Sequence, residues 1–182
     1  MNMSDSIRTV SVGVHKLHPE AFDPVYATAG SACFDIRACF PDGRSLVKSY
    51  TENNKEVMLL AAVPSVGDRK HILIPPKHRV MIPTQLVFDI EDAWSMRIHM
   101  RSGLAIKGGL VLSNSEGIID SDYTDELMVL VTNTSDVSIR VNHGDRICQG
   151  ELVPVCKVQF NNCQKPNPKT LRDGGFGSTG KS

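Results

Sequence analysis

A carboxylate and an aromatic ring lie three positions apart in the stretch 117–127, GIIDSDYTDEL. Asp120 could activate a water molecule, Tyr123 could block one face of a sugar, and edge backbone groups could read a flat polar ring. Apolar residues precede Asp120 and alternate again over residues 127–131, which predicts a β-hairpin of strand, polar turn and strand. Taken alone, the stretch fits an ordinary turn equally well, because Asp favours turns and Tyr packs across strands.

A second candidate is an anion site at Arg101, Ser102 and Gly103, which precede a short run over residues 104–107. Serine and glycine at the start of a short helix offer a hydroxyl and free backbone N–H groups, and a neighbouring arginine adds a forked donor. The alternative is a helical turn that Ser102 caps without any ligand.

The C-terminal residues 175–182, GFGSTGKS, match the phosphate-loop pattern GxxxxGK[ST]. A phosphate loop joins a strand to a helix, and no helix can follow Ser182 here, so we expect no nucleoside-triphosphatase fold of that kind. The glycine-rich backbone with Ser178 and Thr179 can still surround phosphate oxygens, and Phe176 can stack on a base.

Composition bounds the class of protein. The 182 residues fit one domain, and twenty basic and twenty acidic residues cancel, so we expect no nucleic-acid partner and no membrane partner. Five cysteines without a CxxC pair argue against a disulfide framework or a zinc site and predict thiols that fill small core spaces. Without a signal-peptide pattern or an apolar run of membrane-spanning length, the sequence predicts a soluble cytoplasmic protein.

Strand patterns dominate the elements that must position these residues. Apolar alternation predicts strands near residues 10–14, 34–38, 72–90 and 137–155, and the prolines at 75, 76 and 83 fit strand ends. Asp35 alternates with Phe34 and Ile36, which predicts a solvent-facing charge on a half-buried strand.

Two segments depart from this pattern. Residues 41–70 keep no lasting period, and we interpret them as a loop with a possible extra hairpin that forms a surface excursion from a single domain over residues 1–160. Residues 161–182 are polar, contain prolines and end glycine-rich, which predicts a flexible C-terminal arm.

The chain contains, in order, the segments YATAGSACFDIRA, RSGLAIK, GIIDSDYTDEL, GDRICQ and RDGGFGSTG, which together extend over residues 26–180. These five segments resemble the five motifs of the trimeric deoxyuridine triphosphate nucleotidohydrolases (dUTPases). The resemblance implies an all-β, distorted jelly-roll-like β-barrel that forms a homotrimer with active sites shared among three chains. It also implies a dUTP diphosphatase, which hydrolyses dUTP to dUMP and pyrophosphate by water attack at the α-phosphorus and so supplies dUMP for thymidylate synthesis.

The resemblance implies a role for each matched residue. Asp120 would orient and activate the water, with Gln149 and Arg101 assisting, and Tyr123 would lie beneath the deoxyribose, where a 2′-hydroxyl would clash. Mg2+ would be held mainly by the substrate phosphates, with Asp35 supporting that region through water. The other implied substrate ligands are Asn114, Gly117, Ile118, Ile119 and Met128 around the uracil; Ser102 and Gly103 beside Arg101 on phosphates from a neighbouring subunit; and Arg172, Phe176, Gly177, Ser178 and Thr179 from an arm that closes over the site.

Three departures from the family pattern bear on these roles. Met100 stands where proline is usual, which loosens a turn, and Asp125 stands where glycine is usual, which requires a backbone conformation that Asp tolerates better than most residues. The spacing between Arg172 and Phe176 is one residue shorter than the common pattern, which bears on how far Arg172 can reach toward the γ-phosphate.

Two alternatives stay open. A deoxycytidine triphosphate deaminase resembles this fold and trimer, but those enzymes need a glutamate in the stretch where this chain has Asp120. A dUTPase-like trimer could also act as a nucleotide-gated regulatory protein, since a surface for a protein partner leaves no local signature in a sequence.

Overall fold

A computed structural model describes residues 9–41, 45–62, 68–167 and 169 of the chain. These residues form strands and one short π-helical turn, Leu104–Gly108. The strands in chain order are β1 Gly13–Lys16, β2 Val25–Tyr26, β3 Phe34–Arg37, β4 Leu46–Tyr50, β5 Glu56–Leu60, β6 His71–Ile74, β7 Arg79–Pro83, β8 Leu86–Asp89, β9 Trp94–Met100, β10 Leu110–Leu112, β11 Gly117–Ile119, β12 Met128–Asn133, β13 Ile139–Asn142 and β14 Arg146–Pro154.

The strands form because apolar and polar residues alternate with the period of a pleated sheet. In β12, for example, Val129, Val131 and Asn133 are buried while the residues between them are half-exposed. Pro83 ends β7 and Pro75 follows β6, as predicted. Residues 143–145 form a turn between two strands, β13 and β14.

Two five-stranded sheets carry most of the structure. One has the order β10-β12-β7-β4-β5 and the other has the order β11-β9-β14-β3-β2, with β1-β8 and β13-β6 as smaller antiparallel pairs. Neighbours in each sheet are mostly distant in sequence, so the chain crosses repeatedly between sheets. Both large sheets contribute side chains to one apolar core, including Ile36 and Ile98 from one sheet and Ile82 and Val131 from the other. The prediction of an all-β, jelly-roll-like barrel is confirmed.

The extra hairpin predicted within residues 41–70 is present. Strands β4 and β5 pair antiparallel from Leu46↔Leu60 to Tyr50↔Glu56. However, β4 also pairs with β7 through Ser49↔Val80, and Val47 and Ser49 are buried. The expectation of a surface excursion is therefore wrong for β4, which is an internal strand of its sheet because its inward face joins the core.

The cysteines fall into two groups, and none forms a disulfide. Cys39 and Cys148 are fully buried, as predicted for core residues, and burial raises the pKa of the Cys39 thiol to about 11. Cys156 and Cys163 are exposed, so the prediction of core thiols is wrong for them, and Cys33 is intermediate. The reason is that both follow Pro154, where β14 ends and the chain leaves the barrel.

No helix among the residues described here has the length and apolar character needed to cross a membrane.

Candidate functional site

The stretch 117–127 does not form the predicted hairpin. Strand β11 pairs with β9 at one edge of its sheet, whereas β12 pairs with β10 and β7 in the other sheet. Residues 120–127, here called the crossover segment, therefore connect two different sheets. The prediction was wrong because alternation specifies that a segment is a strand but not which strand will be its partner.

Hydrogen bonds within the crossover segment and at its end hold its backbone in place. The Tyr123 N–H donates to the Asp120 carbonyl (3.2 Å), and the Tyr123 hydroxyl donates to the Glu126 carbonyl (2.8 Å). At its end, the Leu127 N–H donates to the Leu86 carbonyl (2.8 Å). Partial burial, with Asp125 and Glu126 nearby, raises the pKa of the Tyr123 phenol, so the hydroxyl remains a donor at neutral pH.

The Asp120 carboxylate is exposed, and the described part of the chain holds no hydrogen-bond or ion-pair partner for it. It is therefore free to accept a hydrogen bond from a water molecule and so to orient it. Asp125, two residues after Tyr123, is not among the described residues with positive φ. The aspartate that stands in place of the usual glycine therefore has a backbone conformation that a non-glycine residue readily adopts.

The residues expected around a base lie on both sides of the crossover segment. Ile118 is 54% exposed on β11, whose outer edge has no partner strand among the described residues, so its backbone groups can meet a ligand. Gly117 lies so close to β9 that a Cβ would stand 2.9 Å from the Ile98 Cβ. Asn114 lies in the exposed turn between β10 and β11, and Ile119 is half-buried against the core.

Met128 begins β12 opposite Pro83 and lines a cavity of about 350 Å³ together with Met58 and Met81. A second cavity of about 670 Å³ lies between the turn before β3 and Trp94. Neither cavity is lined by Asp120, Tyr123 or Arg101.

A second group of candidate residues surrounds Asp35 on the outer face of β3, β9 and β14. Arg146 Nη1 donates to Asp35 Oδ2 (2.9 Å), and Arg101 Nε lies 3.2 Å from Asp35 Oδ1. Gln149 Nε2 donates to the same Oδ1 (3.3 Å). We call Asp35, Arg101, Arg146 and Gln149 the arginine cluster.

Asp35 is only 4% exposed, so the prediction of a solvent-facing charge is wrong. The strand alternation was correct, since Asp35 and Ile36 do point to opposite faces. Alternation does not predict that Arg101 and Arg146 cover the Asp35 side chain, because Arg146 lies 111 positions away in the chain. Two positive charges face one negative charge, so the cluster can still attract an anion.

The segment after Arg101 is helical, as predicted. The Arg101 carbonyl accepts hydrogen bonds from the Leu104 and Ala105 N–H groups (3.0 and 3.1 Å), and the turn ends at Gly109, which has φ 67°. No side-chain cap bond is present at its start, so the alternative of a serine-capped turn is wrong. Ser102 and Gly103 are exposed, which leaves the Ser102 hydroxyl available to a ligand.

The arginine cluster and the crossover segment lie at opposite ends of β9. Ile119 is opposite Met96, five residues before Arg101, and the strand rises about 3.4 Å per residue. The two groups are thus separated by about 17 Å along the strand. A single chain does not bring Asp120 and Arg101 together.

Sequence reasoning assigned no role to Arg146. Spaced three residues apart, Arg146 and Gln149 would lie on opposite faces of a regular strand. The pairing of β14 with β3 shifts register between Arg146 and Cys148, and this bulge directs both side chains to Asp35. The motif GDRICQ contains no visible signal of that bulge.

The donor set does not fit a resident metal ion. Both Asp35 oxygens accept hydrogen bonds or ion pairs from the cluster. Across the described residues, no group of three His, Cys, Asp or Glu side chains could hold a metal. Arg172, Phe176, Gly177, Ser178 and Thr179, the five expected ligands from the C-terminal arm, lie outside the described residues.

Comparison with known proteins gives consistent matches. A family model described as dUTPase matches residues 66–180. The deoxyuridine 5'-triphosphate nucleotidohydrolase of Brucella melitensis biotype 2 is 33% identical over 172 residues, covering 93% of each chain. The protein of the same name from Dinoroseobacter shibae is 37% identical over 158 residues, covering 87% of each chain.

A solved structure matches the fold. A mutant dUTPase of Staphylococcus bacteriophage 80alpha, solved with dUpNHpp, superposes with a TM-score of 0.70 at 19% sequence identity. The match covers 94% of this chain and 99% of the phage chain. At that identity the likeness supports the fold alone, and the family rests on the sequence matches.

Proposed function

The chain belongs to the dUTPase family, and from that premise we propose that it hydrolyses dUTP to dUMP and pyrophosphate. The match to nucleotidohydrolases of that name at 33–37% identity over at least 87% of the chain carries the proposal. The structural feature that fits the proposal best is the Asp120 carboxylate in the crossover segment, which is exposed and has no partner among the described residues.

Asp120 acts on the attacking water. Hydrolysis of a phosphoanhydride requires a base that orients water in line with the leaving group, together with cations that take up the developing charge. An exposed carboxylate without a partner can accept a hydrogen bond from water, whereas a paired carboxylate such as Asp35 cannot do so without losing its arginines.

The arginine cluster holds the triphosphate. Arg101 and Arg146 are each partly exposed, at 29% and 41% of the side chain, so both can reach an anion while they remain paired with Asp35. Ser102 and Gly103 add a hydroxyl and backbone N–H groups, and Gln149 adds an amide. Asp35 is then a positioning residue that fixes the two guanidinium groups.

Each active site draws on more than one chain. Arg101 and the position opposite Ile119 are about 17 Å apart along β9, farther than one phosphate group extends, and Asp120 directly follows Ile119. We therefore assign the two ends of β9 to different active sites. A homotrimer with cyclic symmetry satisfies this requirement, because the arginine cluster of one subunit can face the crossover segment of its neighbour.

The edge of β11 reads the uracil, with Asn114, Gly117, Ile118, Ile119 and Met128 around it, and Tyr123 lies against the deoxyribose. Unpaired backbone groups select a base because the wrong base leaves them without hydrogen bonds. Residues of the C-terminal arm, Arg172, Phe176, Gly177, Ser178 and Thr179, would cover the base and complete the phosphate ligands. When bound, Mg2+ would neutralise charge on the triphosphate oxygens.

The test is pyrophosphate release from dUTP, dCTP, dTTP and UTP by the wild-type chain and by Asp120→Asn. We expect release from dUTP only, and a loss of about 10²- to 10⁴-fold in Asp120→Asn, because an amide is a far poorer base than a carboxylate. The matched control is Asp122→Asn, an exposed neighbour in the same segment, which should retain wild-type turnover.

Three results would contradict the proposal. Turnover of dUTP by Asp120→Asn at the wild-type rate would remove the catalytic assignment. Ammonia released from dCTP would favour the deaminase. Tight binding of dUTP without pyrophosphate release would favour the regulatory trimer.

A further inference from the structure

Glu126, at the end of the crossover segment, anchors that segment to the turn between β7 and β8. Its Oε1 accepts three hydrogen bonds: from the Thr84 N–H (3.1 Å), the Gln85 N–H (2.7 Å) and Gln85 Nε2 (3.0 Å). Gln85 has φ 58°, a left-handed conformation that is uncommon for a non-glycine residue. Both donor groups of Gln85 meet the same carboxylate oxygen in that conformation.

Neighbouring contacts strengthen this anchor. Thr84 is fully buried and its hydroxyl donates to the Leu127 carbonyl (2.7 Å), while the Leu127 N–H donates to the Leu86 carbonyl (2.8 Å). The end of the crossover segment is therefore bonded through both its side chain and its backbone. Hydrogen bonds to a charged carboxylate are stronger than those between neutral groups.

The anchor extends to Tyr123. The Tyr123 hydroxyl donates to the backbone carbonyl of Glu126 (2.8 Å), the residue whose side chain is fixed by Thr84 and Gln85. The Tyr123 side chain is 38% exposed, so part of its surface remains open to a ligand. Of the described residues, only Glu126 bonds the hydroxyl, and the ring position thus depends on the Glu126 peptide.

We propose that Glu126 and Gln85 are positioning residues that set the discrimination between deoxyribonucleotide and ribonucleotide substrates by fixing Tyr123. The inference rests on the proposed function, in which Tyr123 lies against the sugar. A steric filter for one hydroxyl group works only if the ring cannot move aside, and a site of this kind must hold its geometry to within about 0.5 Å. A ring held by one hydrogen bond can meet that demand only if the acceptor is itself fixed.

The test compares Glu126→Ala, Tyr123→Phe and Glu126→Gln with the wild-type protein, using kcat/KM for dUTP and UTP. Glu126→Ala removes the anchor, and Tyr123→Phe removes the hydroxyl but keeps the ring. We therefore expect the ratio of kcat/KM for dUTP to that for UTP to fall at least about tenfold in each variant, the size of effect that the loss of one methylene-sized contact produces. Glu126→Gln keeps an acceptor oxygen and should restore most of the ratio. In the double variant Glu126→Ala/Tyr123→Phe the ratio should fall no further than in either single variant, because both substitutions remove the same link.

The chain offers a matched control pair. Tyr50 donates its hydroxyl to Glu56 Oε2 (2.8 Å) on the β4–β5 hairpin, away from the crossover segment. Tyr50→Phe and Glu56→Ala remove a Tyr–Glu contact of the same chemistry and should leave the ratio unchanged. Thermal unfolding of every variant shows whether a change in the ratio accompanies a folded protein.

A folded Glu126→Ala with the wild-type ratio would overturn the inference, even if its turnover of both substrates were reduced. If Glu126→Ala does not fold, Tyr123→Phe and Gln85→Ala decide the question by the same ratio. Competitive binding of dUMP and UMP to the wild-type protein distinguishes a failure of the proposed function from a failure of this inference alone. Wild-type protein that shows no preference for dUMP would overturn the proposed function and this inference together, whereas preference retained in all variants would overturn only the inference.

Discussion

The arginine cluster and the crossover segment lie at opposite ends of β9, and different interactions hold them in place. In the cluster, Asp35 is 4% exposed and lies between the charged groups of Arg101 and Arg146. In the crossover segment, backbone hydrogen bonds and the Glu126 carboxylate fix the chain, and Asp120 remains exposed without a partner in the described residues.

This difference separates the roles of two aspartates. A buried carboxylate with two arginines has its oxygens occupied by donors, so it positions cations and has no free oxygen with which to orient water. An exposed carboxylate on a segment that is fixed by other groups is free to act on water. The segment uses the Asp120 backbone carbonyl but not its side chain, and that is what leaves the Asp120 carboxylate available for chemistry.

Subunit complementation gives the sharpest test of this separation. Arg101→Ala and Asp120→Asn should each be inactive as pure proteins, because each lacks one end of the shared site. After subunit exchange in an equal mixture, about a quarter of the sites in a cyclic trimer would combine an intact Arg101 with an intact Asp120. Pyrophosphate release from dUTP should therefore rise from near zero to about a quarter of the wild-type rate.

A matched mixture controls for nonspecific reactivation. Arg101→Ala and Gln149→Ala both alter the arginine cluster, so every site in their mixed trimers carries one defective cluster and should stay inactive. If Arg101→Ala and Asp120→Asn fail to complement while sedimentation shows mixed trimers, Arg101 and Asp120 do not act in one site across subunits.

The second test concerns stability. Asp35→Asn leaves two arginines without their buried partner, and we expect a loss of about 3 kcal/mol, the lower end for a broken buried pair, because both arginines can reach water. That loss lowers the melting temperature by roughly 6–12 °C for a chain of this size. Calorimetry of Asp35→Asn and the wild-type protein at equal concentration measures this difference in melting temperature.

Asp68→Asn is the control for that measurement. Asp68 pairs with Arg140 on the surface, where both side chains are more than two-fifths exposed, and such pairs contribute little to stability because solvent screens them. A melting temperature for Asp35→Asn that falls no further than that of Asp68→Asn would show that Asp35 is not a structural member of the arginine cluster.

The sequence predicts strands well and strand partners poorly. Alternation gave the correct location of β12, and the β4–β5 hairpin was predictable because its strands flank the five-residue turn 51–55. The partner of β11 was not predictable, since it pairs with β9, which precedes it by two strands. Register and partner choice depend on the whole sheet arrangement and not on local pattern.

The candidate site shows the same limit. The motif resemblance marked Asp35, Arg101 and Gln149, but only the fold shows that they meet at one carboxylate. Sequence reasoning assigned no role to Arg146 because a bulge reverses the face on which it lies. It assigned none to Glu126 because the three donors to its carboxylate come from a turn more than forty positions away. Burial by residues distant in sequence and β-bulges leave no signal in a single sequence.

The third test uses pH to distinguish the two ends of β9. His143 lies in the turn before Arg146, where its Nδ1 accepts a hydrogen bond from the Phe40 N–H (3.0 Å) and its ring packs on Phe22 at 5.0 Å. Burial, reinforced by Lys70, lowers the pKa of His143 below its usual value of 6.5, although Glu20 opposes the shift. The neutral ring is therefore the form that the folded protein stabilises.

Because the folded protein binds fewer protons at His143 than the unfolded chain, this contribution to stability is complete above pH 6.5 and is lost as the pH falls from there through the lowered pKa. We expect the loss to be smaller than that of Asp35→Asn. Amide hydrogen exchange should show this loss of stability first in β13 and β14 next to the arginine cluster, while the crossover segment stays protected.

His143→Asn keeps an acceptor for the Phe40 N–H but does not titrate, so it should flatten the dependence of stability on pH in this range. The control is His15→Asn, at an exposed histidine of β1, which should leave that dependence unchanged. Equal exchange at both ends of β9 on acidification would show that His143 supports the whole barrel and not the arginine cluster in particular.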